Sequence, residues 1–343
     1  MARAPLRITG DTGDWGARGM RRALVIGGAG FVGSWVVQAL LEESIETTVL
    51  DRMSTRPREA VAGVDLIVDD VLRADLTALL DDRQIDAVFH LAGTAAVPPS
   101  LERPIDDLER NAATTLAVLE AARHADRPPL VGFVSSAAVY GEGREMPMTE
   151  DHPLQPVSPY GISKLAAETY VRLYAQLYGL PTFSVRPFSL YGPRQRKLVI
   201  YDLLCRAVDG EDPLVVLGSP EVSRDFVFVA DCARTLVVLA RRAPARGEAY
   251  NVATGVGTRL GTLVPGLLES AGVEAVVRFT GDVRPGDPLR WEGDPSRALA
   301  LGATLDTPLA EGLRQTAEWL LTNPRDGTEA TRRDPRRRTR VET

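Results

Sequence analysis

The run "RALVIGGAGFVGSWVVQALLEE", residues 22–43, limits the possible folds more than any other stretch. "RALVIG" has the continuous apolar character of a strand buried on both faces, and "FVGSWVVQALLEE" has the apolar spacing of a helix. Gly27, Gly30 and Gly33 occupy the turn between them. Gly27 permits the tight turn, Gly30 lets backbone approach a pyrophosphate, and Gly33 lets helix and strand pack closely. A helix that starts at Phe31 and Val32 offers free N–H groups and a positive dipole end to phosphates. Strand, glycine turn and helix in this order predict a dinucleotide site at the front of a parallel sheet.

The alternation continues downstream. "ETTVLD", "GVDLIVDD", "IDAVFHLAG" and "PLVGFVSS" read as strands, with helices around "RADLTALLDD", over residues 104–124 and over 160–178. This predicts an α/β fold with a Rossmann-like doubly wound parallel sheet. After residue 186 the pattern breaks into Pro- and Gly-rich loops, which predicts a smaller C-terminal α/β substrate lobe. The expected division is a flexible extension over 1–20, the cofactor domain over 21–185 with 225–253 returning to it, and the second lobe over 186–224 and 254–322. The basic tail, 323–343, reads as solvated and disordered.

Composition excludes several classes. A net charge of −6 gives no bulk field for nucleic acid. No apolar stretch approaches the roughly 20 residues of a membrane helix, and the N-terminus lacks a secretory apolar core. Cys205, Cys232, His90, His124 and His152 show no metal-ligand spacing, so no metal is expected. Both cysteines lie in apolar helical patterns and read as reduced packing residues of a cytoplasmic protein.

Within the expected dinucleotide site, Asp51 ends the second strand, where a carboxylate accepts both adenosine-ribose hydroxyls and repels a 2′-phosphate. That favours NAD, while the adjoining Arg52 keeps NADP open. Asp70 and Val71 follow the third strand, placed to hold a base edge. Leu91, Ala92 and Gly93 follow the fourth strand as cofactor contacts; His90 beside them reads as a packed residue.

"SSAAVYG", residues 135–141, and "YGISK", residues 160–164, point to proton handling. Tyr160 and Lys164 stand one helical turn apart and share a face. A phenol of pKa about 10 is a poor base at neutral pH, but an adjacent ammonium and an oxidised nicotinamide both favour the phenolate. Tyr160 would then remove a hydroxyl proton while hydride leaves the same carbon, with Ser136 hydrogen-bonded to that oxygen.

"GGAGFVG", "HLAG", "SSAAVYG", "SPYGISK", "RPFSLYGPRQ", "RDFVFVAD" and "YNVATG" occur in the order found in the extended short-chain dehydrogenase/reductases. Over residues 20–322 the chain resembles the NAD-dependent nucleotide-sugar epimerase/dehydratase family. The resemblance implies a UDP-, TDP- or GDP-linked sugar as substrate, and a homodimer joined by a four-helix bundle from the helices near 104–124 and 160–178. It implies Ser136, Tyr160 and Lys164 as catalytic, with Lys164 also on the nicotinamide ribose. Asn111, Ser135 and Pro187 become further cofactor-site residues, Asn111 in a mainly structural role. Arg224 matches an arginine that grips the diphosphate, and Arg284 with Asp287 a pair on the nucleotide. Ser189, Lys197 and Leu198 complete the substrate contacts. Ser189 stands where the family often has Asn, and Arg194, Arg196 and Lys197 form a basic loop, either solvated or facing an acidic sugar.

In the family's 4,6-dehydratases an Asp-Glu pair follows the catalytic Thr, where this chain has Ala137 and Ala138. Alanine carries no proton, so chemistry confined to sugar C4 is expected. This favours a 4-epimerase. A 4-ketoreductase, a dehydratase or decarboxylase using acids from elsewhere, and a non-catalytic NAD-binding regulator are the alternatives.

Overall fold

The computed structural model describes residues 19–52, 63–95, 97–143, 145–282 and 288–323. The expected extension over 1–20 and the basic tail therefore fall almost wholly outside the described residues. Arg284 and Asp287 also lie outside them.

Seven parallel strands form the main sheet: β1 (Arg22–Ile26), β2 (Glu46–Asp51), β3 (Asp65–Val68), β4 (Ala87–His90), β5 (Leu130–Val134), β6 (Thr182–Pro187) and β10 (Arg246–Val252). Their spatial order is β10-β6-β5-β4-β1-β2-β3, so direction of travel reverses between β1 and β4. A crevice opens beyond the carboxyl ends of the strands at such a reversal. α1 (Phe31–Glu42) and α8 (Val229–Arg242) cover one face. α2 (Leu76–Asp82), α5 (Thr114–His124) and α6 (Pro159–Tyr178) cover the other. Asp75 starts α2 by accepting from the Ala78 N–H at 3.1 Å, a side-chain N-cap.

The helix expected over 104–124 is interrupted. After α3 (Val97–Glu102), α4 (Pro104–Leu108) leads into a π-helical turn, Glu109–Ala113, before α5 begins. The Thr114 and Thr115 hydroxyls donate to the Arg110 and Asn111 carbonyls at 2.7 and 2.6 Å. Such hydroxyls supply partners where a widened turn disturbs the ladder.

The smaller sheets are β7 (Ser189–Tyr191), β9 (Ser223–Phe228) and β11 (Gly257–Arg259) in order β11-β9-β7, and β8 (Leu214–Val216) beside β12 (Val277–Phe279). They share an apolar cluster with α7 (Val199–Val208), α9 (Leu260–Ala271) and α11 (Leu309–Thr322). The short α10 (Ser296–Ala300) packs beside β10. The return to the main sheet was expected to start at 225; β9 instead pairs with β7 and β11, and the return starts with α8 at Val229. A six-residue strand with every side chain buried fits either sheet, so its own pattern does not choose between them.

Candidate functional site

Gly27 closes the turn after β1 with φ +84°, its N–H donating to the Leu50 carbonyl at 2.8 Å. A Cβ on it would lie 2.7 Å from the Ala92 nitrogen, and one on Gly33 only 2.1 Å from the Gly27 carbonyl oxygen. Gly30 also packs within the turn: a Cβ there would meet the same oxygen at 2.9 Å. Gly30 caps α1 with no side-chain hydrogen bond, and no acid occupies the first turn at Phe31, Val32 and Gly33. The positive end of α1 is thus not neutralised by its own side chains.

Asp51 ends β2 and accepts from the Ala29 N–H at 3.0 Å, which aims its carboxylate over the glycine turn. Arg52 forms an ion pair with Asp70 at 3.4 Å, so its charge is already matched within the protein. Asp70 also accepts from the Leu72 N–H at 2.9 Å, and the Val71 side chain is buried with Leu76 and Leu80. An acid at the ribose position, a paired arginine and an open helix N-terminus fit NAD.

Leu91 continues from β4, its N–H donating to the Ile26 carbonyl at 2.9 Å, and Ala92 lies against Gly27. At Gly93, φ is +153° and a Cβ would lie 2.4 Å from Asn111 Oδ1. Asn111 is fully engaged: Oδ1 accepts from the Thr94 N–H at 3.1 Å, and Nδ2 donates to Thr94 Oγ1 at 2.6 Å and Ser163 Oγ at 2.9 Å. These bonds make Asn111 a brace between the loop after β4 and α6, in keeping with the mainly structural role expected of it. His90 is fully buried, and burial holds its imidazole down at about 3. Thr115 gives its proton to Asn111, so His90 Nε2, 3.1 Å away, donates to Thr115 Oγ1.

β5 delivers Ser135 and Ser136 to the crevice. Ser135 is buried, and Ser136 caps the short turn Ala137–Val139, accepting from the Ala138 N–H at 3.1 Å. Ser158 caps α6 by accepting from the Gly161 N–H, Pro159 fills its first position, and the Tyr160 N–H donates to Ser100 Oγ at 3.1 Å. A Cβ on Gly161 would lie 2.6 Å from the Ala138 carbonyl, so α6 rests directly on the two-alanine turn. The Tyr160 hydroxyl is hydrogen-bonded to Ser136.

The electrostatics depart from the sequence expectation. Lys164 is buried, donates from Nζ to the Val134 carbonyl at 2.9 Å and lies over the Phe133 ring at 5.0 Å. Burial lowers its ammonium to about 8, opposed by the charge of Asp107. Tyr160 is pushed up to about 12 by burial; the Ser136 hydrogen bond opposes this and Asp107 adds to it. In the protein alone, burial outweighs any help Lys164 gives the phenolate.

On the substrate side, Pro187 ends β6 opposite Val252, and Ser189 opens β7, half-buried. Arg224 is buried on β9, its guanidinium 5.5 Å from the Trp291 ring and 2.9 Å from the Ser223 carbonyl. Leu198 stands at the N-cap of α7 with φ +75°, beside the exposed Lys197. The basic loop divides: Arg194 turns to α1, stacking on Trp35 at 4.4 Å and donating to the Ser34 carbonyl at 3.0 Å, and Arg196 lies over Trp319 at 5.5 Å. Those contacts correct the option that Arg194 and Arg196 face an acidic sugar.

Three features escaped the sequence. Trp291 lines a recess with Val97, Ala138, Gly141, Val157 and Pro288, and its indole N–H donates to the Gly141 carbonyl at 3.0 Å. A tryptophan in a Pro- and Gly-rich loop was the available signal. Behind the site, Arg186 pairs with Glu168 at 2.5 Å and donates to Tyr140, which donates to Asn251 at 2.7 Å. Asp107, on α4, is 2% exposed and accepts from Ser163 at 2.5 Å and from Thr94.

Residues 23–253 match the family model of the NAD dependent epimerase/dehydratase family. A putative UDP-glucose 4-epimerase of Methanocaldococcus jannaschii is 30% identical, covering 88% of this chain and 99% of its own. A dTDP-glucose 4,6-dehydratase of Neisseria meningitidis serogroup B is 32% identical, covering 89% and 94%. The crystal structure of the Thermus thermophilus UDP-glucose 4-epimerase with NAD superposes with a TM-score of 0.80 at 32% identity, covering 88% and 99%. With its glycine turn, its Ser136–Tyr160 contact and matches that run the length of these relatives, the chain belongs to the NAD dependent epimerase/dehydratase family.

Proposed function

We propose that this protein inverts C4 of a UDP-linked sugar through a 4-keto intermediate. The observation that carries the reading is the turn after Ser136. Ala137 is fully buried, Ala138 is 6% exposed and no carboxylate lines the adjoining recess among the described residues. The proton chemistry available beside the sugar is then that of Tyr160 and Ser136. A 4,6-dehydratase needs acid–base groups at the positions these alanines fill, so this stretch speaks against dehydratase chemistry.

Asp51, the Gly27 turn and the open end of α1 would hold NAD, which when bound would supply hydride uptake and return. Tyr160 takes the C4 hydroxyl proton and later gives it back. Ser136 hydrogen-bonds the same oxygen, and Lys164 holds the nicotinamide ribose and adds positive charge. Arg224 meets the diphosphate, a task the guanidinium fork suits. By the family resemblance Arg284 and Asp287 are assigned to the nucleotide, and Ser189, Lys197 and Leu198 to the rest of the substrate. The UDP assignment follows the UDP-sugar relatives.

A homodimer through α4, α5 and α6 fits the exposed apolar side chains there: Ile105 (79%), Leu108, Ile162 (54%), Leu173 and Leu177. A cytoplasmic location fits the free thiols Cys205 and Cys232. The test is incubation of the NAD-loaded protein with a panel of UDP-, TDP- and GDP-sugars, followed by NMR. A C4-inverted product with no added reductant supports the reading. Stoichiometric NADH consumption with a 4-keto sugar, and no inversion, would replace it with a ketoreductase.

A further inference from the structure

We propose that Asp107 is a positioning residue for the Tyr160–Lys164 pair: its buried carboxylate, held by the Thr94 and Ser163 hydroxyls, is the counter-charge of the Lys164 ammonium. The inference rests on the reading of Tyr160 and Lys164 as the proton-handling pair.

The hydrogen-bond directions suit a double acceptor at position 107. Asn111 Nδ2 spends its two protons on Thr94 Oγ1 and Ser163 Oγ. Each hydroxyl must then donate elsewhere: Thr94 donates to Asp107 Oδ1, and Ser163 donates to Asp107 Oδ2 at 2.5 Å in preference to the Tyr160 carbonyl at 3.0 Å. A carboxylate accepts both; an amide presents a donor to one of them. The ring Thr94–Asp107–Ser163–Asn111 thus ties the loop after β4, α4 and the π turn to the residue before Lys164.

Charge gives the same assignment. Among the described residues no cation lies within ion-pair distance of Asp107, so its partners are hydroxyls alone. Among the described residues Lys164 has one hydrogen-bond acceptor, the Val134 carbonyl, and a buried ammonium is costly without a compensating negative charge. Glu168, one turn further along α6, is committed to Arg186. From β4 the facing titratable group is His90, held neutral by burial, and on α4 itself Asp106 pairs with Arg103 at the surface. Asp107 is left as the carboxylate that favours the ammonium of Lys164, and it disfavours the phenolate of Tyr160. The cost to Tyr160 is the consequence of keeping the lysine charged in a dry site.

The test is an ultraviolet titration of tyrosinate in the NAD-loaded protein without sugar, with the Tyr160→Phe spectrum subtracted. In Asp107→Asn, Tyr160 should ionise about one pH unit below wild type. Ser163→Ala removes a hydroxyl but leaves the charge, and should leave that midpoint in place. Where turnover is measurable, its acidic limb should move with the same midpoint. An unmoved midpoint in Asp107→Asn, or equal movement in both variants, overturns the proposal. Failure of Asp107→Asn and Asp107→Ser to fold while Ser163→Ala folds also overturns it, since the carboxylate would then be structural alone. Should the epimerase reading fail, wild type would turn over no sugar, yet the titration would still report on Asp107.

Discussion

Tyr160 and Ser136 show what residue spacing reveals and what it hides. The i, i+4 pattern places Tyr160 and Lys164 on one face, and the serine pair after a buried strand brings Ser136 to them. Spacing does not reveal that Lys164 reaches the Val134 carbonyl, because that depends on where β5 ends. Nor does it single out Asp107 among the acids of "PIDDLER", whose pattern is that of any amphipathic helix. Tyr160→Phe removes one oxygen and the only proton acceptor assigned to C4 oxidation. It should lower kcat by about 100-fold or more while NAD stays bound, read by turnover and by nucleotide content. His90 gives a stability prediction. Its imidazole ordinarily titrates near 6.5 and is held near 3 in the fold, so the unfolded chain binds the extra proton between those values. Stability from this residue is complete above about pH 6.5 and falls with acid by up to about 1.4 kcal/mol per pH unit. Denaturant unfolding between pH 6.5 and 5 should show a shallower loss in His90→Asn than in wild type.

Among the elements, strand order and most helices follow from periodicity, whereas the π turn does not. One inserted residue leaves an i, i+4 apolar pattern readable as a single helix, and the backbone of Glu109–Ala113 is what shows the widened turn. α6 is held from both sides: its Gly161 lies on the Ala138 carbonyl, and its Glu168 reaches Arg186 of β6. Arg186 also donates to Tyr140 and to the Glu150 carbonyl, so one guanidinium joins helix, strand and the loop after the alanine turn. Glu168→Gln leaves that guanidinium buried without its anion. Loss of one partner of a buried pair costs about 3–5 kcal/mol. Thermal and denaturant unfolding should both show it, with the midpoint falling and the urea m-value unchanged.

For the whole molecule, the glycine turn and the strand–helix alternation made the seven-stranded sheet legible, together with its crevice at the β1–β4 reversal. The return path of the chain was legible only in part, since a fully buried strand such as β9 carries no mark of the sheet it joins. The apolar stripe on α6 is hidden in sequence among ordinary helix residues, and exposure reveals it at Ile162, Leu173 and Leu177. If that stripe joins two copies, Ile162→Glu with Leu173→Glu should halve the mass measured by sedimentation. A mass unchanged from wild type would remove this face from the interface. The deepest consequence of the proposed reading is chemical: hydride chemistry at C4 beside a recess that, among the described residues, offers no acid for C5 or C6. The measurement that reaches it is NMR of the sugar product formed in heavy water by the NAD-loaded protein. Inversion at C4 with no deuterium on any ring carbon is the expected result. Deuterium at C5, or loss of the C6 oxygen, would contradict it.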